Sequence, residues 1–176
     1  MKSVAIVGFA VSSRDQVHES KADEIWSINW AWQYDLPRID RLFDMHPRWH
    51  LTHPGDLMTE HWAWLQREHT FPIYMMYNRE KLEKQDSHVR LLIDELNNVE
   101  RSALDYKERW RNLLLRHIEI RKDISFIKKV PNAVPYPVDD VLANVGREYF
   151  TSSVSYMLGL ALLLGFDKIE LYGIDM

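Results

Sequence analysis

A parallel α/β domain with helices on both faces of its sheet is the fold class this sequence predicts, and three observations carry it. Short apolar runs recur along the chain, and the first of them, Ser3-Val4-Ala5-Ile6-Val7-Gly8, has no polar alternation at all. That is the signature of a strand buried on both sides, as parallel strands are. Stretches with helical periodicity separate the runs, which is the order of βαβ units. Finally, the runs stop at Gly, Asn, Asp or His, so polar groups collect where such sheets bind ligands, outside the carboxyl ends of their strands.

The elements follow in order. After Ser3–Gly8 comes a second run, Glu24-Ile25-Trp26-Ser27-Ile28, closed by Asn29, and a third, Arg41-Leu42-Phe43-Asp44-Met45, closed by His46-Pro47. Leu57 to Arg67 reads as an amphipathic helix with Leu57, His61, Trp64 and Leu65 on one side. Phe71 to Met76 is a fourth strand, with Pro72 at its start. Pro131 to Pro137 is extended by its prolines. Asp139 to Val145 is a short helix stopped by Gly146. Thr151 or Ser152 caps a helix running through Leu164, and Lys168 to Gly173 is the last strand.

Residues 82–122 differ from the rest. Val89, Leu92, Leu96, Val99, Ala103, Tyr106, Trp110, Leu113 and His117 alternate steps of three and four with no Gly or Pro between them. This heptad-like pattern predicts a long helical arm, residues 79–130, inserted into a domain formed by 1–78 and 131–176. One straight helix of about 40 residues would be about 60 Å long, more than the domain could cover. The arm must bend back between Asn97 and Ser102, or pair with another chain. The unbroken pattern favours the second, a straight arm making a homo-oligomer.

Composition narrows the function. A net charge of -4 does not suit a nucleic-acid-binding face. The absence of cysteine removes disulfides, thiolate metal sites and Cys nucleophiles. Neither Met1–Phe9 nor Met157–Phe166 approaches the ~20 apolar residues of a membrane span, so a cytoplasmic protein is expected. Aromatic residues crowd between Trp26 and Tyr77, as large core side chains or as stacking platforms for a base.

The strand ends supply the candidate site. Gly8, Ser12 and Ser13 follow the first strand, where a tight turn and hydroxyls suit a phosphate. The dinucleotide fingerprint and the P-loop lysine are both absent. Asn29 follows the second strand, with an amide suited to a base or ribose or to an Asx turn. After the third come Asp44, His46, Arg48, His50 and His53. His46 is the candidate general base, because imidazole is available near neutral pH. No metal site is expected of His46, His50 and His53, since Pro47 and Pro54 interrupt any helix that would align them. Thr151, Ser152 and Ser153 open the last helix, aimed at an anion. Gly173 and Asp175 follow the last strand and suit a ribose diol or sugar hydroxyl.

These residues carry a resemblance. Phe150-Thr151-Ser152-Ser153-Val154-Ser155-Tyr156-Met157 and Ala161 to Asp175, ending Gly173-Ile174-Asp175, resemble the close of the catalytic core of family-42 sialyltransferases. Val4 to Arg14 looks like their opening strand and nucleotide loop, and Ile25 to Asn29 like their second strand, ending in an Asn that contacts the donor nucleotide. The layout is also similar to the group containing the archaeal 6-hydroxymethylpterin pyrophosphokinase and many Rossmann-like proteins of phages and prophages. The phage-type members share Phe43-Asp44-Met45-His46-Pro47 and the Tyr136-Pro137 lead. The likeness spans roughly residues 3–77 and 131–176. It implies a Rossmann-like fold and ligand positions at Asn29, Thr151, Ser152, Gly173 and Asp175. Phe9 departs from the Asn of the sialyltransferases' Gly-Asn-Gly-Pro-Ser loop, and their catalytic His has no counterpart here. The expected ligand is a nucleotide or nucleotide sugar, with no further cofactor. The expected function is a glycosyltransferase-like transferase, with a pyrophosphokinase-like enzyme or a non-catalytic nucleotide-binding phage protein as alternatives. If a phage encodes it, the compartment is the host cytoplasm.

Overall fold

The structure, a computed structural model, describes residues 1–53, 55–97, 106–146 and 150–175. Strands β1 (Ser3–Val7), β2 (Glu24–Ile28), β3 (Arg41–Phe43), β4 (Ile73–Met75), β5 (Ala133–Pro135) and β6 (Lys168–Tyr172) form one sheet in the order β5-β4-β3-β2-β1-β6. Every pairing is parallel, with Val4 opposite Glu24 in β2 and Ile169 in β6. The fold is α/β and Rossmann-like. Helices α1 (Arg48–Leu51), α2 (Asp56–Leu65), α3 (Arg79–Asn97), α4 (Tyr106–Ile127), α5 (Val138–Val145) and α6 (Ser153–Leu163) complete it. No helix among the described residues is long and apolar enough to cross a membrane.

Side chains alternate across a strand, so each strand feeds two cores. Val4, Ile6, Trp26, Ile28, Phe43 and Tyr74 face one side, under Val141 of α5 and Met157, Leu160 and Ala161 of α6. Leu42, Ile73 and Met75 face the other, with Leu51 of α1, Leu65 of α2 and the end of α4 at Phe126 and Ile127. Ala5, Val7 and Ile25 also face that second side, against Val17 in the 3-10 turn Arg14–Glu19. Neither face is left to solvent, so β1 is apolar from Val4 to Val7, and the Ser27 hydroxyl that interrupts β2 is buried and donates to the Val7 carbonyl at 3.1 Å.

Three local expectations change. Pro131 to Pro137 contains a strand, β5, in which Pro135 pairs with Met75. An edge position tolerates a residue with no N–H to give. Strand β3 stops at Phe43, because the chain must turn towards Pro47, which leads into α1. In α2, His61 and Leu65 are buried while Leu57 stays exposed.

The largest correction concerns the arm, which is a hairpin rather than one straight helix. Later residues of α3 meet earlier residues of α4: Glu83 lies 3.7 Å from Lys128, and Asp86 lies 3.0 Å from His117 Nε2. Arg90 Nε is 3.5 Å from His117 Nε2. The helices are thus antiparallel, and Val89, Ile120 and Ile124 are buried between them, with the partly buried Leu82, Ile93 and Leu113 packed against them. The stripe that needed a partner finds one within the chain. The expected bend, with Val99, Ser102 and Ala103, lies outside the described residues. At its root the hairpin is tied to the sheet domain. Arg48 pairs with Asp123 at 2.7 Å and also with Glu119, and the Trp62 ring stacks on Phe126 at 4.7 Å.

Candidate functional site

Strand β3 delivers the central residue. Asp44 continues the strand's alternation, falling on the same side as Leu42, and its N–H donates to the Tyr74 carbonyl at 2.9 Å. Its side chain is wholly buried. Three donors meet its two oxygens. Oδ1 accepts from the His46 backbone N–H at 3.1 Å and lies 2.9 Å from His46 Nδ1, while Oδ2 lies 2.6 Å from His61 Nε2 on α2. Burial by itself would push this carboxyl upward. The hydrogen bonds from His46 and His61, and then their charges, outweigh burial and hold it down at about 2.

The two histidines differ in access. His61 is fully buried, and the Trp32 indole N–H donates to its Nδ1 at 3.1 Å. The side chain of His46 is 24% exposed, and no described residue bonds to its Nε2. Aromatic rings hold both. His46 stacks on His50 at 4.4 Å, and Trp30 lies 5.6 Å from His46 and 5.4 Å from His61. Trp64 stacks on His61 at 6.2 Å and on Trp32 at 6.1 Å. Much of the aromatic crowd read from the sequence therefore forms a cage around two imidazoles. Burial, then neighbouring His46, lowers the pKa of His50, so this ring stays neutral more readily.

Beside this cage, Asn29 ends β2 in the left-handed region, at φ 43, with its N–H on the Phe43 carbonyl at 3.0 Å. The residue is 7% exposed, and its Oδ1 is buried with no partner among the described residues; the same holds for Trp30 Nε1. Buried polar atoms are nearly always paired, so these two stand out in the site.

The loops after β1 and β6 are built into each other. The Gly8 N–H donates to the Tyr172 carbonyl and the Ala10 N–H to the Gly173 carbonyl, both at 2.8 Å. Ser13 Oγ accepts from the Gly173 N–H at 2.9 Å, and Ser12 Oγ donates to Asp175 at 2.7 Å. A Cβ at Gly8 would lie 2.5 Å from the Gly173 carbonyl oxygen. The closeness that the sequence suggested for a phosphate is spent on another loop. Gly8→Ala is expected to cost about 1–3 kcal/mol by overpacking, read as a fall in the urea midpoint at unchanged m-value. Phe9 reaches from this cluster towards the histidines, 6.1 Å from Trp30 and 5.7 Å from Tyr34, whose other contact is the Arg14 guanidinium at 4.1 Å.

At α6, Ser152 is the N-cap. It accepts from the Ser155 N–H at 3.3 Å while its own N–H donates to Ser155 Oγ at 3.1 Å, a reciprocal capping box. Its hydroxyl serves the helix, while Thr151 is exposed and Ser153 half-buried beside it. Because α6 leads into β6, its N-terminus lies at the same carboxyl edge as Gly8, Asn29, His46 and Gly173.

Gly8, Ser12, Ser13, Gly173 and Asp175 thus form one cluster, and Asn29, Trp30 and His46 a second, bridged by Phe9. Thr151, Ser152 and Ser153 share the edge without a bond to either. Among the described residues no group of three His, Cys, Asp or Glu side chains is set to hold a metal ion, and His53 is exposed. His46 is legible from the sequence, whereas the roles of Asp44, His61 and Trp32 are not. The available signals were an Asp two residues before a His at a strand end, and a lone His on the apolar side of a helix. Compared with known proteins, the chain matches no family model, no curated protein and no solved structure.

Proposed function

We propose that the chain binds a nucleotide or nucleotide sugar along the carboxyl edge of the sheet, and that His46 acts as general base in transferring a group from that activated donor. One observation carries the reading: the buried Asp44 carboxyl lies 2.9 Å from His46 Nδ1, and no described residue bonds to the Nε2 of that ring. In that arrangement Nε2 takes the proton of an acceptor hydroxyl as its oxygen bonds to the transferred group and the donor phosphate leaves. Asp44 then stabilises the imidazolium.

The other features support binding. The unpartnered amide oxygen of Asn29 offers an acceptor to a base or ribose, and Phe9, Trp30 and Tyr34 offer faces for stacking. The start of α6, with Thr151 and Ser153, offers N–H groups and hydroxyls to phosphate. The resemblance to family-42 sialyltransferases supplies the reaction class, and His46 stands in for the His those enzymes carry elsewhere. The arm serves assembly in this reading, since Trp110, Leu115 and Ile118 remain exposed on α4 after the hairpin closes.

Calorimetry against a panel of nucleoside mono- and diphosphates, and turnover of the matching nucleotide sugars, test the proposal. Asn29→Ala should weaken binding by roughly tenfold, the worth of one hydrogen bond to a buried group. His46→Ala should leave affinity nearly unchanged and lower turnover by about 10²–10⁴. Binding without turnover would favour the non-catalytic alternative, which the internal use of the Ser12, Ser13 and Ser152 hydroxyls also suits. No binding to any of the panel would reject the proposal.

A further inference from the structure

We infer that Trp32 and His61 are positioning residues: through Asp44 they fix His46 in the one tautomer whose bare nitrogen faces the ligand edge. The inference deepens the function proposed above and rests on it for its purpose, though not for its geometry.

The chain of hydrogen bonds has a direction that can be worked out from its ends. The Trp32 indole has a proton to give and nothing to accept with, so His61 Nδ1, 3.1 Å away, must be the acceptor. The proton of neutral His61 is therefore on Nε2, which lies 2.6 Å from Asp44 Oδ2 and donates to it. Asp44 Oδ1 faces His46 Nδ1 at 2.9 Å, and an ionised carboxylate can only accept, so His46 Nδ1 carries the proton. The two imidazoles on one carboxylate thus hold opposite tautomers, Nε2–H in His61 and Nδ1–H in His46.

This asymmetry has a chemical use. His61 has no nitrogen left over: one accepts from Trp32 and the other donates to Asp44. His46 has one, Nε2, and it is the more exposed ring. Without His61, Asp44 Oδ2 would be bare in a buried setting and the carboxylate free to turn, so the hold on His46 Nδ1 would slacken. Without Trp32, His61 would keep the Nε2–H tautomer that Asp44 Oδ2 demands, but its Nδ1 would lose its donor and the ring one of its two anchors. The cage of Trp30, Trp32 and Trp64 keeps the rings from rotating out of line.

Long-range proton–nitrogen NMR correlations on uniformly labelled full-length protein, at a pH where the imidazoles are neutral, read these tautomers directly. In the wild type, Nδ1 of His46 should show the protonated-type shift and Nε2 the bare-type shift, with the opposite pattern for His61. Trp32→Phe should leave His61 Nε2 protonated, as Asp44 demands, and move the Nδ1 signal to that of a bare nitrogen with no donor. His61→Leu should average the His46 pattern, and His61→Gln should restore it, because the amide can donate to Asp44 and accept from Trp32. Should His61→Leu not fold, Trp32→Phe still decides through the His61 signals. Matching tautomers in the two wild-type histidines would overturn the inference, as would an unchanged His61 Nδ1 shift in Trp32→Phe. The stated tautomers in a protein that binds no nucleotide would uphold the inference and reject only the proposed function.

Discussion

Asp44→Ala is expected to lower stability by roughly 3 kcal/mol or more, from about 1–3 kcal/mol for each buried donor left without an acceptor. Three donors are affected: the backbone N–H and Nδ1 of His46, and Nε2 of a His61 that has no access to water. Asp44→Asn keeps the shape but presents an NH₂ where one oxygen was, so one histidine must change tautomer. If His46 is a base, this isosteric change alone should remove activity by about 10²–10⁴. The wild-type contribution also has a pH window. The Asp44 carboxyl is lowered from 3.8 to about 2, so its stabilisation is complete above about pH 4 and is lost as pH falls through about 2. The linked free energy is about 2 kcal/mol. Urea unfolding of wild type and Asp44→Asn at pH 7, 4 and 2 checks this. A stability difference that does not shrink towards pH 2 would show that the carboxylate's charge is not what holds the site.

The second large effect is expected at Val89, which is fully buried between α3 and α4. Val89→Asp puts a charge against Ile120 and Ile124, and the same turn of α3 already carries the buried Asp86. Burying an unpaired carboxylate costs several kcal/mol, more than two helices joined by one small core can offset. The hairpin should open, with a loss of helical circular dichroism. The sheet domain should keep its near-ultraviolet signal, because Trp26, Trp30, Trp32 and Trp64 all lie outside the arm. Should Val89→Asp keep its full helical signal, the stripe does not hold the hairpin together. If the whole protein unfolds in one step, Phe126 and Ile127 at the end of α4 couple the arm to the sheet more tightly than Val89 does to its own neighbours.

How far these features are legible in the sequence depends on whether a feature records its own partner. β1 and β2 are readable because burial on both faces keeps their runs mostly apolar, whatever lies above and below. β5 is not, because its three residues sit among prolines and pair only at an edge. The arm shows the limit most clearly. Leu96, Val99, Ala103 and Tyr106 keep the spacing of one helix, so the pattern tells which side is apolar and not what covers it. His46 could be found from its place after a strand. His61 could not be joined to it, because the bond to Asp44 spans 17 residues and a helix whose orientation only tertiary packing decides. The serines fail in the opposite direction: Ser12, Ser13 and Ser152 have the right type and place for phosphate, but their hydroxyls have partners already.

The place of β1, between β2 and the edge strand β6, has a bearing on how the molecule is made. One of its neighbours, β2, leaves the ribosome soon after it, but the other, β6, comes from the far end of the sequence, as the bond from the Lys2 N–H to Asp167 across 165 residues shows. Contacts of such separation close late and slow the search for the native state. During synthesis, β1 therefore waits with a bare flank, a surface on which nascent chains aggregate or recruit chaperones. The junction of the Gly8 and Gly173 loops can form only after β6 has been made. A small molecule that binds across that junction would act as a folding aid, drawing the final strand into place by mass action.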